Sequence, residues 1–501
     1  MISYIYIAFF FIATIYALQD EVCPGEESLR DCLKKCKFEG TTHFRSDLED
    51  TAYDNDLGRE YNLRVIRYPV AFVHPINNND VSKAIICGAN HNFPVIARSG
   101  GHSFESYSIG DKNCTLVVDL INFNKISINK ADKTAVVGSG SRLGILYYEL
   151  NKAGFAFPSG NCPSVGVGGI ILGGGEGLLM RKFGMSSDNL VDAEIVLADG
   201  TIVENANATR YEDLFWALRG AGNAGYGIVT SLTLQIHEIP KTVTFMDFTY
   251  NFNLDSIKLM YQTINKIGRR FDKDLSIIFG FSHPGNVAFV RGTYLGPQNE
   301  LEKILKNFIE KSKPKEVKYS EGDWFSAIYK NTPYPMNTEE GAKHPRIVPI
   351  SVKMKSFYVD NPGLSDKGVE TLFDFMEAIK KEGCGFYIVA ILYAGGEVNE
   401  IPRSKTAFVH RGLMYNILTP VSLPLTGGEK CLNRLENFAK EFRKYTSSES
   451  YQNLIDKELD NWQERYYVEN IDELVKIKLK YDPHEVFRWN QSIPSSSSTE
   501  G

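Results

Sequence analysis

The sequence predicts an α+β fold, and three observations carry that reading. From about residue 62 to residue 240, short β-rich runs alternate with helical runs, separated by glycine-rich turns. From about 241 to 450 the pattern changes to longer helices between β-rich runs, which marks a second domain. Within residues 160–177 there are eight glycines, a density that regular helix or strand does not tolerate but that close backbone approach to a bulky ligand favours.

The elements follow in order. Residues 65–73 read as a strand, 80–90 as a helix opened by a capping Asp80, and 94–98 as a strand running into Ser99, Gly100 and Gly101. A strand over 115–120 comes next, then a hairpin-like pair within 125–139 and a helix over 143–153 stopped by Gly154. The glycine run is interleaved with Val165, Val167, Ile170, Ile171 and Leu172, so it is expected to be buried and ordered. A helical run over 213–218 leads to a strand over 228–236. The second domain holds helices over 254–271 and 299–311 and β-rich runs over 275–281 and 385–393. The last folded stretch, 461–494, holds a helix over 471–481, a stop at Asp482 and Pro483, and a short β segment; 495–501 is expected to be a disordered polar tail. The sequence contains no internal repeat, coiled-coil heptad or linker rich in Pro and Ser.

With 501 residues and 43% hydrophobic content the chain can bury a large core. A net charge of -6 shows no excess of Lys or Arg, which sets nucleic-acid binding aside. Residues 1–17 are almost wholly apolar and uncharged, with Asp20 following, and read as a signal peptide cleaved near Ala17 rather than a stable membrane span. An extracellular address agrees with the sequons at Asn113, Asn207 and Asn490 and with eight cysteines. A monomer is the default for such a secreted glycoprotein.

A Gly-x-Gly-x-x-Gly match at Gly220, Gly222 and Gly225 lies after a helix and before a strand, the reverse of a dinucleotide fingerprint, so a nicotinamide reading is set aside. The turn Arg98-Ser-Gly-Gly-His102-Ser103 instead offers consecutive backbone N–H groups without bulky side chains, a concavity suited to a pyrophosphate, with His102 beside it.

That turn is followed, in order, by Ser159-Gly-Asn-Cys162-Pro-Ser-Val165-Gly-Val-Gly-Gly169, Gly173-Gly-Gly, Ser187-Asp188-Asn189, Asp213-Leu-Phe-Trp216-Ala-Leu-Arg-Gly220 and Gly225-Tyr-Gly227-Ile-Val-Thr230. Together they resemble the FAD-binding domain of vanillyl-alcohol-oxidase and p-cresol-methylhydroxylase type flavoproteins, in the berberine-bridge-enzyme-like branch. Thr406-Ala-Phe408-Val-His410-Arg411 resembles that branch's substrate domain, and Tyr466-Tyr467, Lys478, Tyr481-Asp482-Pro483, Phe487 and Gln491-Ser-Ile-Pro494 its closing segment. The resemblance covers nearly the whole mature chain. It implies a two-subdomain FAD-binding domain over 62–240, a substrate domain over 241–450 with an antiparallel sheet covered by helices, and a C-terminal segment over 451–494 returning to the FAD domain.

Carried over residue by residue, the resemblance implies FAD tethered twice, through His102 to the 8α-methyl carbon and through Cys162 to ring carbon C6. Imidazole nitrogen and thiolate are the nucleophiles suited to an electron-poor flavin. The same carry-over places Arg98, Ser99, Gly100, Gly101, Ser103, Val165, Gly166, Gly168, Gly169, Gly173, Gly174, Asn189, Gly227, Ile228, Val229, Asn490 and Gln491 at the cofactor, and no metal. It also pairs Cys32 with Cys87, with Cys36 as competitor for Cys87; such a closed loop is worth on the order of 4 kcal/mol in the chain-entropy model. Cys23, Cys114, Cys384 and Cys431 have no assignment. With Cys162 used by the cofactor, seven cysteines remain, so at least one is free or bonded outside the chain.

In such enzymes a polar side chain removes a proton while flavin takes a hydride from the adjacent carbon. Here the positions where the family carries that group fall at Leu418 and Leu454, and a Tyr found beside the flavin His in some members is Phe104. Either the gap placement slips there or the usual acceptors are missing. The remaining candidates are Tyr393, Tyr415, Tyr451 and Asn453, the first two on β segments expected to face the flavin. Val165 matches a position associated with oxygen access, which favours an oxidase releasing hydrogen peroxide. The expected substrate is an alcohol or hemiacetal carbon, with carbohydrate leading and molecular oxygen as second substrate. The rival is a catalytically degenerate flavin-bearing binding protein.

Overall fold

The computed structural model describes residues 23–47, 51–330, 332, 336–424 and 428–496. The expected signal peptide over 1–17 and residues 497–501 of the expected tail lie outside the described residues. Among the described residues no helix is long and apolar enough to cross a membrane.

Among the described residues three large sheets organise the chain, beside a two-stranded pairing of Phe155–Ala156 with His237–Glu238. A four-stranded sheet runs in the order Thr41–Phe44, Ala71–His74, Leu116–Asp119, Val95–Arg98, antiparallel at the first pairing and parallel at the next two. Its central strands are buried on both faces, which is why they read as unbroken apolar runs rather than alternating ones. The helix Asn78–Asn90 covers one face. Its cap is Asn77, whose side chain accepts from Asp80 N–H at 2.9 Å, and not Asp80 as expected. Asp80 lies in the first helical turn and accepts from Glu39 N–H at 3.1 Å.

A five-stranded antiparallel sheet follows, in the order Ile126–Asn129, Thr134–Gly138, Ile228–Gln235, Leu190–Val196, Ile202–Asn207. The expected hairpin forms its first two strands, and the helix Leu143–Ala153 ends at Gly154 (φ 89°) as expected. The glycine run holds a six-residue helix, Val167–Leu172, which corrects the expectation that such a density excludes helix. Buried Val167, Ile171 and Leu172 anchor that helix in the core, an apolar gain that outweighs the low helix propensity of Gly168 and Gly169.

The third sheet has nine strands among the described residues. Its main path is Glu316–Gly322, Val243–Tyr250, Val287–Tyr294, Leu275–His283, Gly385–Leu392, Tyr415–Leu418, Ser356–Val359. One face packs under the amphipathic helices Leu254–Ile267, Gln298–Ser312, Asp366–Lys381 and Glu429–Phe442, in a core that includes Phe248, Phe279, Phe281, Leu305, Phe308, Phe375 and Phe438. Strand alternation then decides which side chains look the other way. In Tyr415–Leu418, Tyr415 and Ile417 enter the helix-covered core, so Asn416 and Leu418 turn to the opposite face.

Disulfides join Cys23 to Cys114, Cys32 to Cys87 and Cys384 to Cys431. Cys36 and Cys162 stay as thiols, and Cys36 Sγ stands 4.0 Å from Cys87 Sγ. The helix Ile471–Tyr481 is where the sequence puts it, but residues 482–496 contain no strand. Asp482 draws that segment into turns instead, accepting from Val486 N–H at 2.8 Å and Phe487 N–H at 3.0 Å. Its charge is met by Lys478 Nζ at 2.6 Å, which also donates to Gly225 O and Phe487 O. Both side chains are fully buried. Lys478→Met leaves the buried Asp482 carboxyl without its cation, so urea denaturation is expected to show a loss of about 3–5 kcal/mol.

Candidate active site

The turn after Val95–Arg98 and the start of the glycine run meet backbone against backbone. A Cβ at Gly100 would lie 2.2 Å from Gly166 N, and one at Gly166 would lie 2.3 Å from Gly100 N, so only glycines allow this approach. Gly101 sits at φ 67°, and its carbonyl accepts from Tyr61 N–H at 2.9 Å. Ser99 Oγ donates to Ser139 O and accepts from Gly168 N–H at 3.3 Å, a second tie between the loops. Arg142 clamps both, donating to Gly100 O at 3.1 Å and to Ser164 O.

This packing delivers His102 and Cys162 to one place. His102 Nε2 is 3.0 Å from Ser164 Oγ, and Cys162 Sγ is 3.4 Å from the same oxygen. Tyr61 stacks on the imidazole with centroids 4.5 Å apart. Burial, reinforced by the Arg142 charge, pulls the His102 pKa down to about 3, so the ring is neutral and nucleophilic at physiological pH. Burial also lowers the pKa of Arg142, which has no carboxylate salt-bridge partner among the described residues.

The other expected cofactor residues divide into cradle and scaffold. Val165, half-buried, takes its N–H to Cys162 O at 3.2 Å, and a Cβ at Gly169 would meet nothing within 4 Å. Gly173 lies against Asn453 and Gly174 against Phe408. The Arg98 side chain, by contrast, turns into the core: its Nε reaches Asp119 at 2.6 Å and its Nη1 reaches Asp56 O and Glu60. Three buried carboxylates, Asp119, Glu60 and Asp56, hold it there, so its guanidinium does not line the concavity. Asn189 is spent on Phe183 O, Met185 O and His237. Ser103 Oγ caps Tyr107 N–H, and Gly227 permits contact with Ile195. Ile228 and Val229 are buried strand residues. Gln491 is buried and donates to Asp456 O, whereas Asn490 is exposed beside a depression of about 400 Å³ that it lines with Asp111, Trp462 and Trp489.

Where the glycine run ends, the sheet's uncovered face closes over it. Tyr451 Oη accepts from Gly175 N–H at 2.7 Å and from Asn453 Nδ2 at 2.8 Å, and Asn453 also donates to Ile170 O. Tyr393 and Tyr358 both donate to Glu176 Oε1, Tyr358 at 3.0 Å, and Asn416 Nδ2 donates to the same carboxylate at 2.8 and 3.1 Å. Three of the four catalytic candidates, Tyr393, Tyr451 and Asn453, therefore converge here. Tyr415 does not: its hydroxyl accepts from Leu364 N–H at 2.6 Å and donates to Asn265 on the helix-covered side. One step of the two-residue period separates it from the site, and Asn416 takes the place expected for it.

Glu176 is the residue that sequence reasoning missed. It is the only charged side chain in residues 160–177, and that isolation in a glycine run was the available signal. Burial raises its pKa to about 7, against the opposing pull of the Tyr393, Asn416 and Tyr358 hydrogen bonds. Leu454 packs beside Tyr358, Tyr393 and Tyr451.

A glycine cradle ending at a neutral imidazole and a thiol, roofed by an antiparallel sheet, is the architecture of a flavin-dependent oxidoreductase. A family model for an FAD binding domain matches residues 69–205, and one described as berberine and berberine like matches 450–494. Berberine bridge enzyme-like 9 of Arabidopsis thaliana is 31% identical over 87% of this chain and 86% of its own length. BBE-like 1 of Physcomitrella patens, a solved structure, is 34% identical with a TM-score of 0.86, covering 93% of this chain and 99% of that one. A solved glucooligosaccharide oxidase from Acremonium strictum, with 6-S-cysteinyl, 8α-N1-histidyl FAD, is 26% identical with a TM-score of 0.85 over 94% and 99%. The chain belongs to the berberine-bridge-enzyme-like family of FAD-linked oxidoreductases.

The raised Glu176 pKa has a consequence for stability. An ordinary Glu titrates near 4.5, so between 4.5 and about 7 the folded protein holds a proton that the unfolded chain has lost. Stability from this group therefore falls as pH rises through that window. Glu176→Gln removes the dependence, so the stability of the variant relative to wild type is expected to gain on the order of 3 kcal/mol across it, read by denaturation at several pH values.

Proposed function

We propose that this chain is a secreted oxidase that removes two electrons and a proton from an alcohol or hemiacetal carbon of a carbohydrate, with FAD bonded to both His102 and Cys162. The observation that carries the reading is the shared contact of His102 Nε2 and Cys162 Sγ with Ser164 Oγ, at 3.0 and 3.4 Å. Ser164 engages Nε2, which leaves Nδ1 as the imidazole nitrogen for the bond to the 8α-methyl carbon. Cys162 Sγ takes ring carbon C6. The fit to a large polar group is supported by the open space over Gly169 and by buried Ser139 Oγ, Ser141 Oγ and Asn161 Oδ1, which have no hydrogen-bond partner among the described residues. When bound, the flavin supplies the two-electron acceptor and passes the electrons to oxygen, giving hydrogen peroxide.

The protein's own part is to hold, orient and neutralise. The backbone N–H groups around Gly100 and Gly101 suit the pyrophosphate, and Arg142 places positive charge beside Cys162. Val165 keeps a small apolar side chain next to the Cys162 attachment, which suits oxygen entry. Carbohydrate leads as substrate because the Acremonium strictum relative is a glucooligosaccharide oxidase. Three disulfides favour an oxidising, extracellular setting, and a monomer is the working oligomeric state.

The second reading, a flavin-bearing binding protein without turnover, draws on the apolar Leu418 and Leu454. The test is acid precipitation of the secreted protein followed by washing. Yellow colour is expected to stay in the pellet, to fall in His102→Ala and in Cys162→Ala, and to vanish in the double variant. Peroxide release with an oligosaccharide panel is expected from the coloured protein. A colourless pellet from folded protein would overturn double attachment, and a coloured protein inert to the whole panel would move the binding reading to the front.

A further inference from the structure

We propose that Glu176 is the group that accepts the substrate's hydroxyl proton, replacing the apolar Leu418 and Leu454; the inference rests on the oxidase reading above. Its position comes first. Glu176 directly follows Gly173, Gly174 and Gly175, the last of which donates its N–H to Tyr451 Oη, and its side chain meets Tyr358 and Asn416 on two neighbouring strands of the roofing sheet and Tyr393 just past the end of a third. It thus stands where the cradle and the roof meet, and it keeps 7% of its surface exposed.

Its partners are unusual for a buried acid in this protein. Asp119 meets Arg98, Glu105 meets Lys353 and Arg64, Asp456 meets Lys353 and Lys355, and Asp482 meets Lys478. Each of those carboxylates is paired with a cation, as a structural role requires. Glu176 has only neutral donors, the hydroxyls of Tyr358 and Tyr393 and the amide of Asn416, and no salt bridge among the described residues. A carboxylate left this way is costly for stability and suited to moving a proton.

The groups that face it do not compete for that role. Burial and the Glu176 charge raise the pKa of Tyr358, Tyr393 and Tyr451 well above the ordinary tyrosine value, so all three stay protonated. Tyr358 and Tyr393 serve as donors that steady the carboxylate. His410 stacks on Tyr358 at 4.4 Å, but its two ring nitrogens are engaged by Glu449 and Gln452. A Glu176 pKa of about 7 then matches a proton acceptor at physiological pH.

The step balances simply. The substrate C–H and O–H bonds break and the second C–O bond forms; the hydride carries both electrons to the bound flavin, and the proton goes to a Glu176 carboxylate oxygen. Water receives that proton before the next turnover.

The test compares flavin-loaded wild type, Glu176→Gln and Glu176→Asp. Anaerobic bleaching of the flavin band by an oligosaccharide is followed against pH, with KM measured separately and bound flavin quantified. Infrared titration of the carboxyl band in substrate-free protein gives a readout independent of turnover. Wild type is expected to gain rate as pH rises through about 7. Glu176→Gln is expected to lose that limb and to slow by on the order of 10²–10⁴-fold, with KM little changed and full flavin. Glu176→Asp is expected to keep the limb at a reduced rate. The carboxyl band is expected to titrate over the same range in wild type and to be absent from Glu176→Gln. Unchanged rate or an intact limb in Glu176→Gln overturns the proposal while the oxidase reading stands, and so does loss of bound flavin, which would make Glu176 a support. A loaded wild type inert to every sugar and alcohol overturns the oxidase reading and this inference with it.

Discussion

The approach of Gly100 to Gly166 sets how close the two loops of the site come. With no Cβ on either residue, the backbone after Val95–Arg98 touches the backbone after Cys162, and a single methyl on either side would fall about an ångström inside contact distance. Everything near the candidate attachment point follows from that contact. The Arg142 clamp, the Ser99 bond across to Gly168 and the shared Ser164 hydroxyl all operate over distances that exist only because the two chains pass so closely. The stiffness of the arrangement comes from behind, where buried Arg98 ties its strand to Asp119, Asp56 and Glu60. A glycine contact needs such rigid backing, since glycine itself resists no motion.

Two kinds of buried polar network coexist in the interior. One is built of acid–base pairs: Lys353 and Lys355 join Glu105, Asp456 and Glu458, and Lys478 joins Asp482. The Lys353 and Lys355 pairs span distant parts of the chain and help specify how the C-terminal segment docks, whereas Lys478 and Asp482 lie one helical turn apart and fix the turns after that helix. The other network, around Glu176, is built of neutral donors and leaves its carboxyl free to exchange a proton. The contrast separates the part of the molecule that must not move from the part where a proton can.

Much of the fold was readable because the signals were local. The helices Leu143–Ala153 and Ile471–Tyr481 carry their own periodicity and stops, and the strand pair Ile126–Asn129 and Thr134–Gly138 carries its own alternation and turn. The Asp80 cap was misplaced by three residues because Asn77 and Asp80 are both capable acceptors and only backbone geometry tells them apart. The strand expected after Pro483 failed for a different reason: its N–H groups are taken by Asp482, not by a neighbouring strand.

The sequence by itself determined the α+β class, the glycine-rich cradle and the presence of a His and a Cys on the two loops that build it. Those are properties of residue type and order, and they survive without knowing what touches what. Only the tertiary structure decided which side chains share the cavity. Tyr415 lost its place to Asn416 because a strand's period assigns faces only once pairing is known, and Arg98 left the concavity because its partners lie on other elements. Glu176 acquired its raised pKa from burial that no local sequence encodes, against the hydrogen bonds of Tyr358, Tyr393 and Asn416, residues 182, 217 and 240 positions away. Long-range contact is what turns a residue type into a chemical role.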